Sequence, residues 1–186
     1  MTYLQHAARI SLANKLTTFS LDADALRVDD GAAPQSIAYG AIKKLQLISY
    51  AGAAGRQGQL TIYAAGHGKV KTRSHHYVSL ANFENRSSSY APFVRELCRR
   101  VAAANPNAVF QRGSAGLWFV WLVVLALIGI VLLLLVVSLF GGDLSAKALG
   151  GIFGLSIILP IAWRSVRGNK ALAFNPDDPP ADLLQF

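Results

Sequence analysis

Leu117–Phe140, LWFVWLVVLALIGIVLLLLVVSLF, carries no charge, no proline and one polar side chain, Ser138. As a helix rising about 1.5 Å per residue the run is roughly 36 Å long, enough to cross a hydrocarbon core of about 30 Å with some tilt. A buried helix of a soluble core is the plain alternative. An uncharged apolar run well beyond about 18 residues is instead the mark of a membrane span.

A second apolar run, Leu149–Trp163, follows the sequence GGDLSAKA. Counted from Ala146 it is about 18 residues, just long enough to span if Lys147 snorkels toward the headgroups. A loop as short as 141–145 would make the two helices antiparallel neighbours. Ala146, Gly150 and Gly154 recur every fourth residue. Such a small-residue stripe admits another helix closely, with Ala126 and Gly129 of the first run as the natural seat. Ordinary glycine enrichment in membrane helices accounts for the stripe equally well. Arg99, Arg100 and Arg112 precede the first run, and Arg164, Arg167 and Lys170 follow the second. Between them Lys147 is balanced by Asp143. The bias puts both ends of the chain in the cytoplasm and the loop outside. Trp118, Trp121 and Trp163 stand where interfacial aromatics belong. No ionisable residue lies deep in either run, which argues against a transporter.

The net charge of +8 lies almost wholly ahead of these runs: residues 1–110 hold 13 Lys/Arg against 6 Asp/Glu. That balance suits an anionic membrane surface or an acidic partner. No zinc-finger spacing or RNP-like motif accompanies it, so nucleic acid is not expected. The single cysteine, Cys98, excludes an intrachain disulfide and a CxxC site, and it falls on the apolar face of a helix. His6 and Arg9 interrupt the first residues, MTYLQHAARI, so no cleavable signal peptide is expected.

About 110 residues are enough for an independent domain. From Lys15 the chain alternates, with Thr17, Phe19 and Leu21 on one face. Further strands are expected at 25–28, 35–39, 42–50, 60–65, 69–73 and 75–80. Gly52–Gly58 reads as a flexible hairpin tip and Gly66-His67-Gly68 as a tight turn. Residues 3–11 fit an extra strand or an amphipathic lead-in. The period then changes. Ser87–Ser89 offer capping hydroxyls, and Pro92 is tolerated in a first turn. Phe93, Val94, Leu97, Cys98 and Val101 repeat at helical spacing, and Asn105-Pro106 ends the helix.

The stretches KLTTFSLDADALRVDD, QSIAYGAIKKLQLIS, GQLTIYAAGHGKVKTRS and SSYAPFVRELCRRVAAAN together resemble the bacterial pleckstrin-homology-like (PH-like) families, over about residues 10–105. The resemblance implies an α+β chain: a PH-like antiparallel β-barrel closed by one C-terminal helix, followed by a two-helix transmembrane hairpin. The parts would be a cytoplasmic domain 1–106, linker 107–116, helices 117–140 and 146–163 around an external loop 141–145, and a cytoplasmic tail 164–186. It also implies a bacterial inner (cytoplasmic) membrane.

Lys69, Lys71 and Arg73 fall at period two and so project from one side of a strand, with Lys43 and Lys44 available to join them. They suit anionic lipid headgroups or an acidic protein segment. The outer face of a strand in water accounts for them at least as well, because the tether alone holds the domain at the membrane. His75 and His76 are adjacent, point to opposite faces and lack a third ligand, so no metal is expected. GAAGRQG is not a phosphate loop, and no catalytic constellation is present; enzyme activity, a cofactor and a small-molecule substrate are not expected. The tail FNPDDPPADLLQF joins Asp177, Asp178 and Asp182 to Leu183, Leu184 and Phe186. A disordered terminus is the plain reading; docking of the leucines in an apolar groove is the sharper one. The expected partners are membrane lipids and protein in the membrane or at its cytoplasmic face. The expected role is a non-enzymatic interaction or scaffold module, or else an accessory or assembly subunit of a membrane complex, or an anionic-lipid sensor.

Overall fold

The computed structural model describes residues 4–52, 55–140 and 146–186. The chain divides into two compact units, one of Met1–Arg112 with Leu172–Phe186 and one of Gly113–Ala171. The apolar helices are therefore inserted into a domain whose last strand and tail come after them.

In the first unit β1 (Gln5–Ala8), β2 (Thr17–Leu21), β3 (Ala25–Asp29) and β4 (Gln35–Ala38) form an antiparallel sheet in that order. Period-two alternation sends Phe19, Leu21, Leu26, Val28 and Ile37 inward and Arg27 outward. A 3-10 turn, Tyr39–Ala41, then carries the chain into β5 (Ile42–Gly52), β6 (Gly55–Ala64) and β7 (Gly68–Arg73). Leu45, Leu47, Leu60 and Ile62 of β5 and β6 are fully buried. β8 (His75–Ser79) and β9 (Asn82–Asn85) form a separate ribbon.

Helix α1 (Ser87–Ala104) lays Tyr90, Phe93, Val94, Leu97, Cys98 and Val101 into the same core. Each large apolar side chain removed from water there contributes about 1.5–3 kcal/mol. The serines are not its cap: Arg86 occupies that position, and Asn85 Oδ1 accepts from the Ser87 N–H at 2.8 Å. Asn105 ends the helix, and its amide donates to the Ile42 carbonyl at 2.9 Å. Burial pushes the Cys98 thiol up to about 12, which makes it a core residue and not a nucleophile.

The closed barrel is not built. Among the described residues the strands form three open sheets of four, five and two strands, and the larger sheet runs β11-β10-β5-β6-β7. The edge of β5 that a barrel would have to close is taken by β10 (Val109–Arg112), which pairs with it in parallel from beyond α1. β10 in turn pairs antiparallel with β11 (Leu172–Ala173). The residues read as a linker thus supply a strand, and so does the segment read as tail. The expected two-helix transmembrane hairpin also needs correction. Among the described residues one helix is long and apolar enough to cross a membrane, over Ala115–Ser138 of α2 (Ala115–Phe140). Only 6% of its apolar window is buried, the reverse of a soluble core helix. The described part of α3 (Ala146–Gly168) is diluted by Gly150, Gly151, Gly154, Ser156 and Pro160 and charged by Arg164 and Arg167. Its sixteen uncharged residues from 148 to 163 measure about 24 Å as a helix, short of a hydrocarbon core.

Within the second unit α3 packs against α2, with Leu135 against Gly151. The Ser114 N–H donates to the Asn169 carbonyl at 3.0 Å, joining the start of α2 to the end of α3. Gly113 sits at φ +72°, and a Cβ there would stand 2.7 Å from the Asn169 oxygen, so this junction requires glycine.

Candidate functional site

The register of the five-stranded sheet sets Lys44 of β5 opposite Tyr63 of β6, and Tyr63 opposite Lys69 of β7. Both ammonium groups lie 5.5 Å from the centre of the Tyr63 ring. A phenol between two cations orients both through its ring face. The Tyr63 hydroxyl donates to Gln46 Oε1 at 2.9 Å, which fixes the ring. Lys71 follows two residues along β7, opposite Thr61, and is exposed. On the same face of β6, Gln57, Gln59 and Thr61 are buried, an unusual position for polar side chains. They are held by bonds from the Tyr50 hydroxyl to Gln57 at 3.2 Å and from Gln59 to Thr61 at 3.4 Å.

Arg73 shares the face by register but is absorbed by the fold. It stacks on Tyr50 at 5.2 Å and donates to Gln59 Oε1 and to the Ile10 carbonyl, both at 3.2 Å. Burial raises the Tyr50 hydroxyl pKa against the opposing pull of Arg73. Lys43 is skipped in the register by a bulge between Ile42 and Lys44 and is exposed. Among the described residues every ion pair uses Arg56, Arg86, Arg99, Arg100 or Arg112. Among the described residues no ion pair joins a carboxylate to Lys43, Lys44, Lys69, Lys71 or Arg73. Lysines on the edge strand β7 also deter strand addition. Edge protection does not explain Lys44, which lies on the interior strand β5 and shares the ring with Lys69.

The tail occupies a second place on the same unit. Leu183 and Leu184 are in the core, at 2% and 0% exposure. The Phe186 ring lies on Gly58, where a Cβ would come within 2.6 Å of Cζ. Arg56 stands 6.0 Å from that ring and His75 meets its edge at 6.4 Å. Asn85 Nδ2 donates to the Phe186 carbonyl at 2.6 Å. Asp182 pairs with Arg112 at 2.8 Å and Arg56 at 3.5 Å. The bare backbone of Gly58, in mid-strand, is what admits the ring.

Of the small-residue stripe, Gly150 and Gly154 face open space and do not meet α2. Ala146 opens α3, and its side chain lies outside the described residues, as does the loop 141–145. His75 bonds to its neighbour Ser74 Oγ, and His76 accepts from the Arg9 N–H across the fold, both at 3.0 Å. No group of three metal-ligating side chains occurs among the described residues.

The lysines stand out in the sequence by their period-two spacing, and Tyr63 between two of them does not, although the alternation through Leu60, Ile62 and Ala64 already puts Tyr63 on the opposite face. Leu183 and Leu184 stand out in the sequence as an apolar pair, whereas Arg56, Gly58, Asn85 and Arg112, which surround the tail, are scattered through the chain. No family model, no curated protein and no solved structure matches the chain, so the PH-like resemblance rests on its sequence pattern alone.

Proposed function

We propose that this protein is a membrane-anchored, non-enzymatic interaction module. Helix α2 lies in the bilayer, and the α+β unit stands on the cytoplasmic side of an inner membrane. There it offers Lys44, Lys69 and Lys71 to an acidic segment of a protein partner. The observation that carries the reading is the Tyr63 ring held between two lysines that, among the described residues, pair with no carboxylate. Orientation is supported by Arg164, Arg167 and Lys170 beside Trp163, and by the pairing of β10 with β11, which brings the chain before and after the helices to one place.

The test uses the full chain in zwitterionic nanodiscs, titrated with a labelled Asp/Glu-rich peptide. Saturable binding that weakens with salt is expected. Lys44→Glu, Lys69→Glu and Lys71→Glu together should weaken it at least about tenfold, roughly 1.4 kcal/mol. Binding that ignores the substitutions, or none at all, would overturn the reading. Association with anionic vesicles but not with peptide would favour a lipid sensor.

A second reading, as a subunit of a larger membrane complex, draws on Gly150 and Gly154, which leave α3 open to another helix. Native mass measurement after detergent extraction separates the two. A lone chain argues against a stable complex.

A further inference from the structure

The last twelve residues are held in an unusual way. The Phe174 N–H donates to the Phe110 carbonyl at 3.0 Å. Beyond that bond, among the described residues, no main-chain hydrogen bond joins Asn175–Phe186 to the rest of the unit. Its main-chain bonds are internal: Asp178 to Asn175, Leu183 to Pro180, and Leu184 and Gln185 to Ala181. Attachment is by side chains, each with its own receptor. Asp182 meets Arg112 and Arg56, the two leucines enter the core, and Phe186 lies on Gly58 with its carbonyl on Asn85. That is how a peptide ligand is held, and not how a strand is.

The segment leading to it is lightly held as far as Asp178, and Pro179 beyond it is buried. Asn175–Asp178 are at most partly buried, and the hydrogen bonds shown for them among the described residues are local turns, in which the Asp177 N–H donates to Asn175 Oδ1 and the Asp178 N–H to the Asn175 carbonyl. Opened out, these four residues reach about 12 Å, and the following Pro179-Pro180 favours an extended lead-in.

We propose that this seat accepts the C-terminal segment of a second copy of the chain, so that two copies exchange tails. The exchange breaks no contact that it does not remake, which makes it a low-cost route to a dimer. A second copy is the occupant that fits best, because the seat requires an acid, two leucines and an aromatic two residues on, behind prolines. The chain's own tail has that order. Confinement to one bilayer raises the concentration at which tails and seats meet. The proposal is independent of the cationic sheet face.

Two differently tagged full-length copies are co-expressed, one with Arg56→Cys and the other with Asp182→Cys, and membranes are treated with a short bis-maleimide. Both positions are about half exposed; the substitutions remove the Asp182 pairs with Arg56 and Arg112 and the Arg56 contact with the Phe186 ring, and leave Leu183, Leu184 and Phe186 to seat the tail, so the linkage reads the apolar part of the seat. Cys98 is buried and stays out of the reaction. A covalent heterodimer carrying both tags is expected, reduced several-fold when the Asp182→Cys copy also carries Leu183→Ala and Leu184→Ala. A single chain bearing both cysteines reports whether the tail is seated at all. Internal linkage in that chain with no heterodimer from the mixed copies overturns exchange. Absence of linkage in either arrangement overturns the seat itself.

Discussion

His6 is the residue whose surroundings translate most directly into a measurement. Its Nε2–H donates to the Arg73 carbonyl at 2.8 Å, and Nδ1 accepts from the Ser89 hydroxyl at 2.9 Å. Tyr90 and Phe93 pack on the ring. Burial holds its pKa down to about 4. The unfolded chain therefore takes up the proton first, near pH 6.5, and the fold resists it. Stability is complete above about pH 6.5 and is lost as pH falls toward 4, by about 3 kcal/mol from this residue. His75 and His76 are lowered by burial too and act in the same direction. Glu96, held down to about 2 by hydrogen bonds from Arg99 and Arg100, loses its contribution only below about pH 4.5. Between pH 6.5 and 4.5 the slope thus belongs to the histidines. Thermal melts across that range should fall steadily, and His6→Gln should flatten them. A wild-type curve level from pH 7.5 to 5 would contradict this account of His6.

Among the elements, Gly58 links the β6 strand to the tail. Its Cβ position is filled by the Phe186 ring, with the Leu183 carbonyl 3.1 Å away. Gly58→Ala should destabilise the chain by about 1–3 kcal/mol, as an overpacked site does. In a Phe186→Ala background the same change should cost measurably less, a coupling of at least about 0.5 kcal/mol by denaturant titration. Equal costs in both backgrounds would show that the ring is not on the glycine. In the sequence Gly58 reads as the end of a loose hairpin tip, because glycine marks both a turn and a close approach. The elements that were legible are those with a long local period, namely β2, β3, β5, β6 and α1, where alternation or helical spacing is itself the cause of the structure. β10 and β11 have four and two residues, too few for a period to show. β11 lies across an intervening helical unit from its partner, and its pairing is decided by an edge that only the folded unit presents. The barrel expectation failed at the same place, since the edge of β5 left for closure is the edge β10 takes.

At the scale of the whole molecule, the α+β unit is complete only when the chain has passed through both apolar helices and returned. Its core draws Leu183 and Leu184 from beyond them. On the proposed reading, anchoring and folding are coupled, because the tail is seated only if both ends of the helical insert emerge on one side. The run Leu117–Phe140 marks in sequence the helix that is long and apolar enough to cross a membrane; the discontinuity of the domain depends on two short strands and was not readable there. The most direct test labels single-cysteine full-length variants, Asp30→Cys before the helices and Gln185→Cys after them, with a membrane-impermeant maleimide. Both positions are exposed, and Cys98 is buried and stays silent. Both cysteines should react in inverted membrane vesicles that have been washed at alkaline pH, and neither in intact cells. Labelling of either from outside the cell, labelling of the two from opposite sides, or release of the chain by the wash would contradict the account.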